Sequence, residues 1–581
     1  MERNKINQKK KTFVLGVLVM IVLVLLIGRV SYIMIYKAEH YTALAEELHE
    51  RERDIKAKRG RILDASGQVL ADNRTVCTIS VINSQITEPQ RVISTLTQTL
   101  GLSEEYVTKR VEKWSAREKI KSNVDKEIGD ALRKEDMEGV KIDEDFKRYY
   151  PYDELASKVL GFTGSDNQGI LGLEVYYDSY LTGEKGQILT VTDAKGVEQE
   201  DVGERREEPV AGLDLYTSID LPIQKYATQL AKQVYATKQA KKVSIIVMNV
   251  KNGEILAMVD EPEYNLNEPY SFIDEVLTLE QESVTLSEKE RQDLLNKMWR
   301  NSCIHDTYEP GSVFKIITAA TGLETGAVAL TDQFYCPGYI IVEDRRIRCA
   351  KIAGHGSEDF IHGFMNSCNP VFITVGMRIG VDRFFEYIQK FGLYQKTGID
   401  LPGEAKMIMH KKENVGEVEL ATVSFGQSFQ LTPIRFMTTV SAIINGGTMV
   451  TPHFGVRAMD KEKTRIIDFS YPTTQIAISK ETTEAIKMMM EQVVENGGGK
   501  NCYIEGYRIG GKTATSQTLP RGTGKYIASF LGTYPANDPQ IMAMAIIHEP
   551  QGQYYGGQIA APVIRQLFEN ILPYLQDKGY N

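Results

Sequence analysis

One stretch near the start of the chain constrains its fold more than any other feature: an unbroken apolar run from Phe13 to Ile27. These 15 residues are short for a helix that crosses a membrane, which needs about 20. Extending the run to Tyr36 gives 24 residues and places Tyr32 and Tyr36 where a membrane interface favours aromatic side chains. We therefore expect a membrane anchor over residues 12–36.

The segment before this run, residues 1–11, is basic and carries a single acid, Glu2. Because cytoplasmic flanks of membrane helices carry an excess of positive charge, we expect this tail in the cytoplasm and the chain after the anchor outside. The alternative is a cleaved signal peptide, and Ala43-Leu44-Ala45 resembles a cleavage site. That site lies 16 residues beyond Ile27, which is too far, so an uncleaved anchor is favoured.

Length, charge and cysteine content exclude several classes of protein. The 581 residues are too many for one compact core, and a net charge of −9 gives no electrostatic reason to expect nucleic acid as a partner. The six cysteines are scattered, which excludes a disulfide scaffold, and their spacings match no zinc site. The eight histidines include no H-E-x-x-H motif. We therefore expect no metal, no cofactor and no catalytic histidine.

Three stretches follow the anchor. Residues 38–59 are polar with helical spacing, which predicts a stalk. From Arg59 to about Glu208, short β-like runs surround a charged block, residues 103–134, which is predicted to be helical and solvated. A compact domain is expected to begin near Gly212.

The pattern within that domain predicts alternating helices and strands. Two apolar runs, 243–250 and 254–259, flank an Asn-Gly turn and predict a β-hairpin. Residues 260–299 are acidic and helical in pattern. The chain then ends with two predicted strands and a predicted helix, at 528–534, 541–548 and 561–575.

The first pattern that can carry chemistry is Ser312-Val313-Phe314-Lys315, an S-x-x-K sequence after a Pro-Gly turn. Apolar residues at helical spacing follow, so Ser312 is expected in a first helical turn, where free N–H groups favour developing negative charge. Lys315 lies on the same face. A partly desolvated lysine there can lose its proton and act as a base toward the serine hydroxyl. Because S-x-x-K also arises by chance, it needs support from elsewhere in the chain.

Two further elements give that support. Ser367-Cys368-Asn369 lies 55 residues after Ser312 and offers a hydroxyl and an amide that can relay a proton and hold a peptide carbonyl. Residues 510–515 read Gly-Gly-Lys-Thr-Ala-Thr and precede a predicted strand. A strand edge offers backbone groups to an extended peptide, while Lys512 and Thr515 can bind the carboxylate of that peptide.

This ordered set of S-x-x-K, S-x-N and K-T-G-like elements resembles the penicillin-recognising serine acyltransferases. The chain as a whole resembles the class B penicillin-binding proteins over essentially its full length. Six segments carry the closer resemblance: Arg59–Ala71, Arg148–Pro151, Gly169–Glu174, Asp306–Ser312, Thr397–Glu404 and Ser424–Gln427.

The resemblance implies an α+β multidomain protein without a cofactor. After the tail and the single transmembrane helix, it implies a mostly β pedestal domain of the dimerisation type over residues 37–210. Residues 211–581 are implied to form an α/β domain of the serine β-lactamase and transpeptidase kind.

It also implies roles for the matching residues. Ser312 would be the nucleophile and Lys315 the general base, while Ser367 and Asn369 would assist proton transfer and substrate placement. In the implied reaction, the serine attacks the D-Ala–D-Ala bond of a peptidoglycan stem peptide and releases the terminal D-Ala. The acyl group then passes to an amine on a neighbouring strand, and β-lactams acylate the same serine.

The last element would bind the donor peptide through Lys512, Thr513 and Thr515, and the N–H groups of Ser312 and Thr515 would form the oxyanion hole. This element departs from the family, because Ala514 stands where glycine is usual. A methyl group on a strand that a ligand must approach closely is expected to weaken β-lactam binding modestly.

Two alternatives to a cross-linking transpeptidase fit the sequence less well. A serine β-lactamase or carboxypeptidase must admit water to the acyl-enzyme, and no E-x-x-L-N segment is present to position that water. A catalytically idle scaffold or β-lactam sensor would not need Ser312, Lys315 and Lys512 together, and a sensor would want further membrane helices. The transpeptidase is therefore favoured.

The resemblance is closest to the division and sporulation branch, although septation, elongation and spore-cortex synthesis all stay open. Because class B proteins have no glycosyltransferase of their own, the resemblance also implies partners. These are a polytopic glycan polymerase of the SEDS type and proteins of division or sporulation, in addition to stem peptides and the membrane.

Cys336 and Cys349 flank a predicted hairpin, with one strand over 339–342, a turn at 343–345 and the return over 346–349. Counting outward from the turn brings the two ends within the roughly 5.5 Å between Cα atoms that a disulfide prefers. We therefore expect a disulfide between them outside the membrane, with two ordinary buried thiols as the alternative.

Overall fold

The computed structural model describes residues 2–38, 50–115, 117–191, 205–274 and 286–579. The chain begins with a helix, Glu2–Ser31, which continues as a π-helical turn, Tyr32–Tyr36. The part from Phe13 to Tyr36 has a mean hydropathy of 2.9, and none of it is buried. The predicted helix is therefore present, and it is long and apolar enough to cross a membrane.

The chain forms two compact units, each built from separated segments. The first contains residues 1–58, 75–147 and 184–211, and the second contains residues 59–74, 148–183 and 212–581.

The first unit contains a small antiparallel sheet of three strands, Glu50–Ile55, Gly186–Val191 and Arg205–Glu207. Its first strand falls within residues 38–59, which the helical spacing assigned to a stalk, so that prediction is wrong for residues 50–55. Pairing along the whole length of Gly186–Val191 overrides the local spacing of these residues. Residues 39–49 of the predicted stalk, including Ala43-Leu44-Ala45, lie outside the described residues, and residues 56–59 form no helix.

A second part of this unit mixes helices with strands. Residues 76–81 of the strand Val69–Val81 pair with Glu118–Asp125. Apolar side chains of the helix Pro89–Leu100 recur on one face and are buried. The remaining elements are the helices Glu104–Val111 and Lys126–Lys134, the 3-10 turn Asn83–Gln85 and the strand Val140–Tyr149.

The prediction of a helical block over residues 103–134 is therefore only partly right, because a strand separates its two helices. In that strand Ile120 and Val124 are buried, so these two side chains belong to the core rather than to a solvated face.

The second unit is organised around an antiparallel sheet of five strands. In spatial order they are Ile255–Glu261, Lys242–Asn249, Ile541–His548, Tyr526–Tyr534 and Gly510–Gln517. This confirms the predicted hairpin at 243–259 and both predicted late strands. Gly510–Gln517 lies at one edge, so one side of its backbone has no partner strand in the sheet.

Alternation along these strands separates two cores. Ile245 and Val247 point to one core, while Ile246 and Met248 point to the other. The first is covered by the helices Leu221–Lys238 and Ala561–Asp577, the second of which confirms the predicted final helix.

The core on the other face is the larger one, and most helices of this unit pack there. They are Ser157–Leu160, Gly172–Tyr176, Asp178–Leu181, Glu288–Trp299, Ser302–His305, Lys315–Glu324, Phe360–Met365, Asn369–Ile379, Val381–Lys390, Glu417–Ser424, Pro433–Ile444 and Lys480–Glu495. The short helix Gly556–Ile559 and the 3-10 turns Gly311–Phe314, Lys412–Asn414 and Lys500–Cys502 complete the helical elements. Of residues 260–299, predicted as helical, only Glu288–Trp299 is a helix among the described ones, and residues 260 and 261 end a strand.

The unit also contains short paired strands. Ile62–Leu63, Asp214–Thr217, Gly455–Met459 and Ile466–Asp468 form one ladder, and Ile62–Leu63 also pairs with the start of Val69–Val81. Three further pairs are Gln333–Cys336 with Gly356–Asp359, Tyr339–Val342 with Arg345–Arg348, and Thr448–Met449 with Thr474–Gln475. The second of these confirms the predicted hairpin between Cys336 and Cys349. The disulfide predicted to close it is not formed, because all six cysteines are free, buried thiols.

One buried carboxylate joins three of the segments that carry the family resemblance. Glu174 accepts hydrogen bonds from Arg59 Nε at 2.7 Å and from Arg148 Nε at 2.6 Å, and Tyr150 Oη lies 3.2 Å away. The side chains of Glu174, Arg59 and Arg148 are at most 2% exposed. Arg59 also binds Asp178 at 2.7 Å. The network ties residues 59–74 and 148–183 together inside the second unit.

Replacing this carboxylate tests the network. Glu174→Gln keeps the volume but leaves two buried guanidinium groups short of negative charge, so we expect a loss of about 3–5 kcal/mol in the free energy of unfolding. Glu154→Gln is the control, because the Lys232–Glu154 pair is 47% and 48% exposed, and its loss is expected to cost less than about 1 kcal/mol. Denaturant unfolding of the full chain in detergent measures both. Equal effects of the two changes would contradict a structural role for the network.

Candidate active site

Ser312 lies where the sequence analysis expects it, at the start of a helix. It is half-buried in the 3-10 turn Gly311–Phe314, which runs directly into the helix Lys315–Glu324. Gly311 has a φ of +60°, which favours glycine, and its N–H donates to the carbonyl of Gly426 at 2.9 Å.

The segment Ser424–Gln427 packs directly against this turn. A Cβ atom at Gly426 would lie 2.0 Å from the carbonyl oxygen of Gly311, so only glycine fits there. Thr318, one turn further along the nucleophile-bearing helix, donates its hydroxyl to the carbonyl of Ser424 at 2.8 Å. The two segments therefore hold each other in place across more than a hundred residues of sequence.

Lys315 is fully buried, and its ammonium group reaches the S-x-N element. Its Nζ donates to the carbonyl of Ser367 at 2.7 Å and to Oδ1 of Asn369 at 2.8 Å, and Oγ of Ser367 lies 3.3 Å away. Ser367 adopts a left-handed φ of +54°, which turns both its carbonyl and its side chain toward the lysine. Burial lowers the pKa of Lys315 to about 8.

These contacts indicate what the lysine can do. A neutral amine has two hydrogens and one lone pair, and two good acceptors already surround it. The lone pair can then accept from the hydroxyl of Ser367, which makes that serine a path for the proton. Asn369 is itself fixed, because its Nδ2 donates to the carbonyl of Arg348 at 3.0 Å.

Lys512 is the second buried amine of the site. It is fully buried on the edge strand Gly510–Gln517, and its Nζ lies 5.6 Å from the centre of the Phe364 ring. Burial holds its pKa well below the usual range, and the charge of Lys315 lowers it further. This effect of Lys315 on Lys512 places the two amines in one electrostatic environment.

Because side chains alternate along a strand, Thr513 and Thr515 lie on the opposite face from Lys512. Both threonines are half-buried. The hydroxyl of Thr515 accepts a hydrogen bond from the N–H of Gly556 at 2.9 Å. The structure thus links Lys315, Ser367 and Asn369 by direct hydrogen bonds, and it brings the strand of the other three predicted residues against the turn of Ser312.

Ala514 is 3% exposed, and its side chain lies on the strand face that meets this turn. A Cβ atom built on Gly311 would lie 3.6 Å from its methyl group. Any influence of Ala514 on ligand binding therefore acts through the position of the turn, and the expected weakening of β-lactam binding stays a prediction.

The sequence analysis did not predict a set of contacts that braces the turn of Ser312, formed by Glu309 and Arg521. Glu309 is buried, its carboxylate accepts from Arg521 at 3.0 Å and from the N–H of Ser428 at 3.0 Å, and its carbonyl accepts from Ser516 Oγ at 3.0 Å. Glu309 lies within the matching segment Asp306–Ser312, which is a usable signal, but nothing in the sequence around Arg521 points to this pairing.

Two family models match the chain. The penicillin binding protein transpeptidase domain matches residues 243–569, and the penicillin-binding protein dimerisation domain matches residues 54–217.

Similar proteins cover nearly the whole chain. The chain is 37% identical over 579 residues to stage V sporulation protein D of Bacillus subtilis, covering 98% of this chain and 86% of that protein. It is 26% identical over 569 residues to peptidoglycan D,D-transpeptidase FtsI of Escherichia coli K12, covering 95% and 90%. Among solved structures, penicillin binding protein 2X from Streptococcus thermophilus has a TM-score of 0.72 at 22% identity, covering 90% of this chain and 80% of that one.

The fit between Gly426 and Gly311 can be tested by adding one methyl group. Gly426→Ala combines a left-handed φ of +89° with a clash against backbone, so we expect a loss of about 3 kcal/mol or more in the free energy of unfolding. Gly446→Ala is the matched control, because its φ is +66° but its Cβ would meet nothing within 4 Å. It is expected to cost about 1 kcal/mol. Denaturant unfolding measures the free energy of unfolding of both variants. If Gly426→Ala destabilises the chain no more than Gly446→Ala does, the turn at Gly311 can move to accommodate the added methyl group.

Proposed function

This chain belongs to the class B penicillin-binding proteins, and we propose that Ser312 is the nucleophile of its D,D-transpeptidase reaction and Lys315 the base. As a member of this family it is a serine-type D-Ala-D-Ala transpeptidase that cross-links peptidoglycan stem peptides, binds penicillin and serves cell-wall synthesis in division or sporulation. The observation that carries the residue assignment is the buried amine of Lys315, held between Ser367 and Asn369 one helical turn from Ser312.

In the acylation step, the hydroxyl of Ser312 loses its proton toward Lys315, and its oxygen attacks the penultimate D-Ala carbonyl. The carbon–nitrogen bond breaks, and the terminal D-Ala leaves after its amine receives a proton through Lys315 and Ser367. An amine of a second stem peptide then attacks the ester, and Ser312 takes back a proton. Asn369 holds Lys315 in position and places the peptide.

Substrate binding is assigned to the edge strand. An extended donor peptide would pair with the free side of Gly510–Gln517, with its carboxylate near Lys512, Thr513 and Thr515. Backbone N–H groups of Ser312 and Thr515 would receive the charge that develops on the carbonyl oxygen. The packing of this strand against the turn of Ser312 supports the assignment.

The chain is a single-pass membrane protein, and the proposal extends to its orientation and boundaries. Residues 1–11 would lie in the cytoplasm, 12–36 would cross the membrane, and 37–210 and 211–581 would be the pedestal and catalytic domains outside. The basic tail supports the orientation. A SEDS-type glycan polymerase is the proposed partner, because a transpeptidase needs newly polymerised glycan strands as its substrate.

Removing the nucleophile gives the primary test. Ser312→Ala should abolish covalent labelling by a fluorescent penicillin while changing the free energy of unfolding by no more than about 1 kcal/mol, because one half-buried hydroxyl is lost. Ser94→Ala, an exposed serine of the first unit, should label normally. Labelling that persisted at another serine would overturn the assignment, and an unreactive native chain would favour the idle scaffold.

The pH dependence of acylation tests the base. Lys315 accepts a proton only when neutral, so the acylation rate of the native chain should rise with pH and level off above about 8. Lys315→Ala should slow acylation by about 10²–10⁴-fold and remove this inflection. Stopped-flow measurement with a penicillin whose own groups do not titrate in this range gives the profile. An inflection that survived in Lys315→Ala would assign the base elsewhere.

A further inference from the structure

Four side chains that the catalytic assignment does not use converge beside the S-x-N element. They are Cys336, Cys349, His355 and Cys368, and one ligand atom of each lies within 4.8 Å of all the others. The Sγ of Cys349 is 3.6 Å from Nδ1 of His355. The three thiols are at most 4% exposed, and the side chain of His355 is 10% exposed.

Separate elements of the second unit deliver these side chains. Cys336 ends the strand Gln333–Cys336 and pairs with Gly356, which places it next to His355. Cys349 follows the hairpin, and its N–H donates to the carbonyl of Gly338 at 2.8 Å. Cys368 precedes the helix Asn369–Ile379.

Two glycines let the backbone close around the cluster. A Cβ atom at Gly338 would lie 2.0 Å from the carbonyl oxygen of Ile352, and one at Gly354 would lie 2.2 Å from that of Cys336. Both have left-handed φ angles, +94° and +78°. The two loops are therefore folded onto each other at a spacing that side chains would prevent.

We propose that Cys336, Cys349, His355 and Cys368 form a tetrahedral site for a structural zinc ion. Three thiolates and an imidazole are a donor set of closed zinc sites, and a Zn–S bond of about 2.3 Å requires ligand atoms about 3.8 Å apart in a tetrahedron. The observed separations fit that geometry after shifts of less than about 1 Å. Binding would release the thiol protons to solvent and change no oxidation state.

Glu358 is placed to orient the histidine ligand. This carboxylate is buried, and its Oε1 has no hydrogen-bond partner among the described residues, yet it lies 3.8 Å from Nδ1 of His355. Its other oxygen accepts from Nδ2 of Asn366 at 2.9 Å, which fixes its direction. A carboxylate beside a ligating imidazole is a common outer partner in zinc sites, where it orients the histidine ring.

The same arrangement explains why spacing in the sequence did not indicate zinc. The ligands are 13, 6 and 13 residues apart, so no C-x-x-C pair is present, and the site exists only after strands and hairpin have paired. The spacing argument against a zinc site therefore does not hold. A disulfide between Cys336 and Cys349 would consume two of the four ligands and leave Cys368 and His355 facing each other without a shared partner.

The site would also position catalytic groups. Cys368 lies between Ser367 and Asn369, both of which contact Lys315. A metal bond to Cys368 would tie this element to the hairpin whose Arg348 carbonyl holds Asn369. This consequence rests on the proposed function, whereas the metal site itself does not.

Metal analysis of the full chain decides the proposal. Protein purified in detergent with a reductant and without chelators should contain one equivalent of zinc by mass spectrometry of the metal. Cys349→Ser should lose it, while Cys77→Ser and Cys502→Ser, which remove buried thiols outside the cluster, should retain it. Three results would overturn the proposal: less than a tenth of an equivalent of zinc, iron in place of zinc, or a disulfide between two of the three cysteines in protein that has not been reduced.

A second measurement guards against a variant that merely unfolds. Native chain stripped with a chelator and given Co²⁺ should show thiolate-to-cobalt absorption and the intense visible bands of tetrahedral cobalt, and added Zn²⁺ should remove both. Octahedral bands or no thiolate band would contradict the ligand set. Ser312→Ala should keep its zinc without being labelled, and stripped native chain should acylate about 10–100-fold more slowly until zinc is restored. Unchanged acylation would refute the positioning role alone.

Discussion

The buried amine of Lys315 is the interaction on which the catalytic unit depends. Removing a lysine from water disfavours its charged form, and the protein offsets part of that cost with the carbonyl of Ser367 and the amide oxygen of Asn369. Neither acceptor carries a charge, so the lysine keeps a lowered pKa instead of being held as a cation by a carboxylate. An ion pair in the same position would have raised that pKa and removed the base.

This requirement explains how the surrounding structure is built. Lys315 must be covered, so the helix that carries it lies in the larger core, and the acceptors must come from a separate segment, 367–369. Lys512 is then brought into the same buried space from the edge strand, where burial and the charge of Lys315 hold its pKa below the usual range. Glu309 and Arg521 brace the turn from outside without approaching Lys315 as a counter-charge within the described contacts. Rigid packing thus replaces charge pairing around the reacting groups.

Sequence reasoning succeeded where a local pattern and the tertiary fold agree. The Asn-Gly hairpin, the late strands and the turn before Ser312 each have a local signature, and the structure contains all three. It failed where pairing with distant residues decides the secondary structure. The strand Glu50–Ile55 is an example, because its polar residues at helical spacing do not indicate the partner strand Gly186–Val191. The same applies to Arg521 and to the ligands around Cys368, since spatial convergence leaves no periodic trace in a single sequence.

The two buried polar centres of the second unit show why separated motifs can specify one structure. Around Glu174, two arginines 89 positions apart meet one buried carboxylate. Without it, Arg148 would be a buried charge with no carboxylate partner among the described residues, and Arg59 would keep only the partly exposed Asp178. Because such a charge costs more than most apolar contacts contribute, only arrangements that bring all the partners together are stable. The network therefore ties residues 59–74 to residues 148–183, although the first unit takes the sequence between them. The proposed zinc site at Cys336, Cys349, His355 and Cys368 is similar. The four side chains gain little from contacts with one another, and the metal ion that they bind would hold them together.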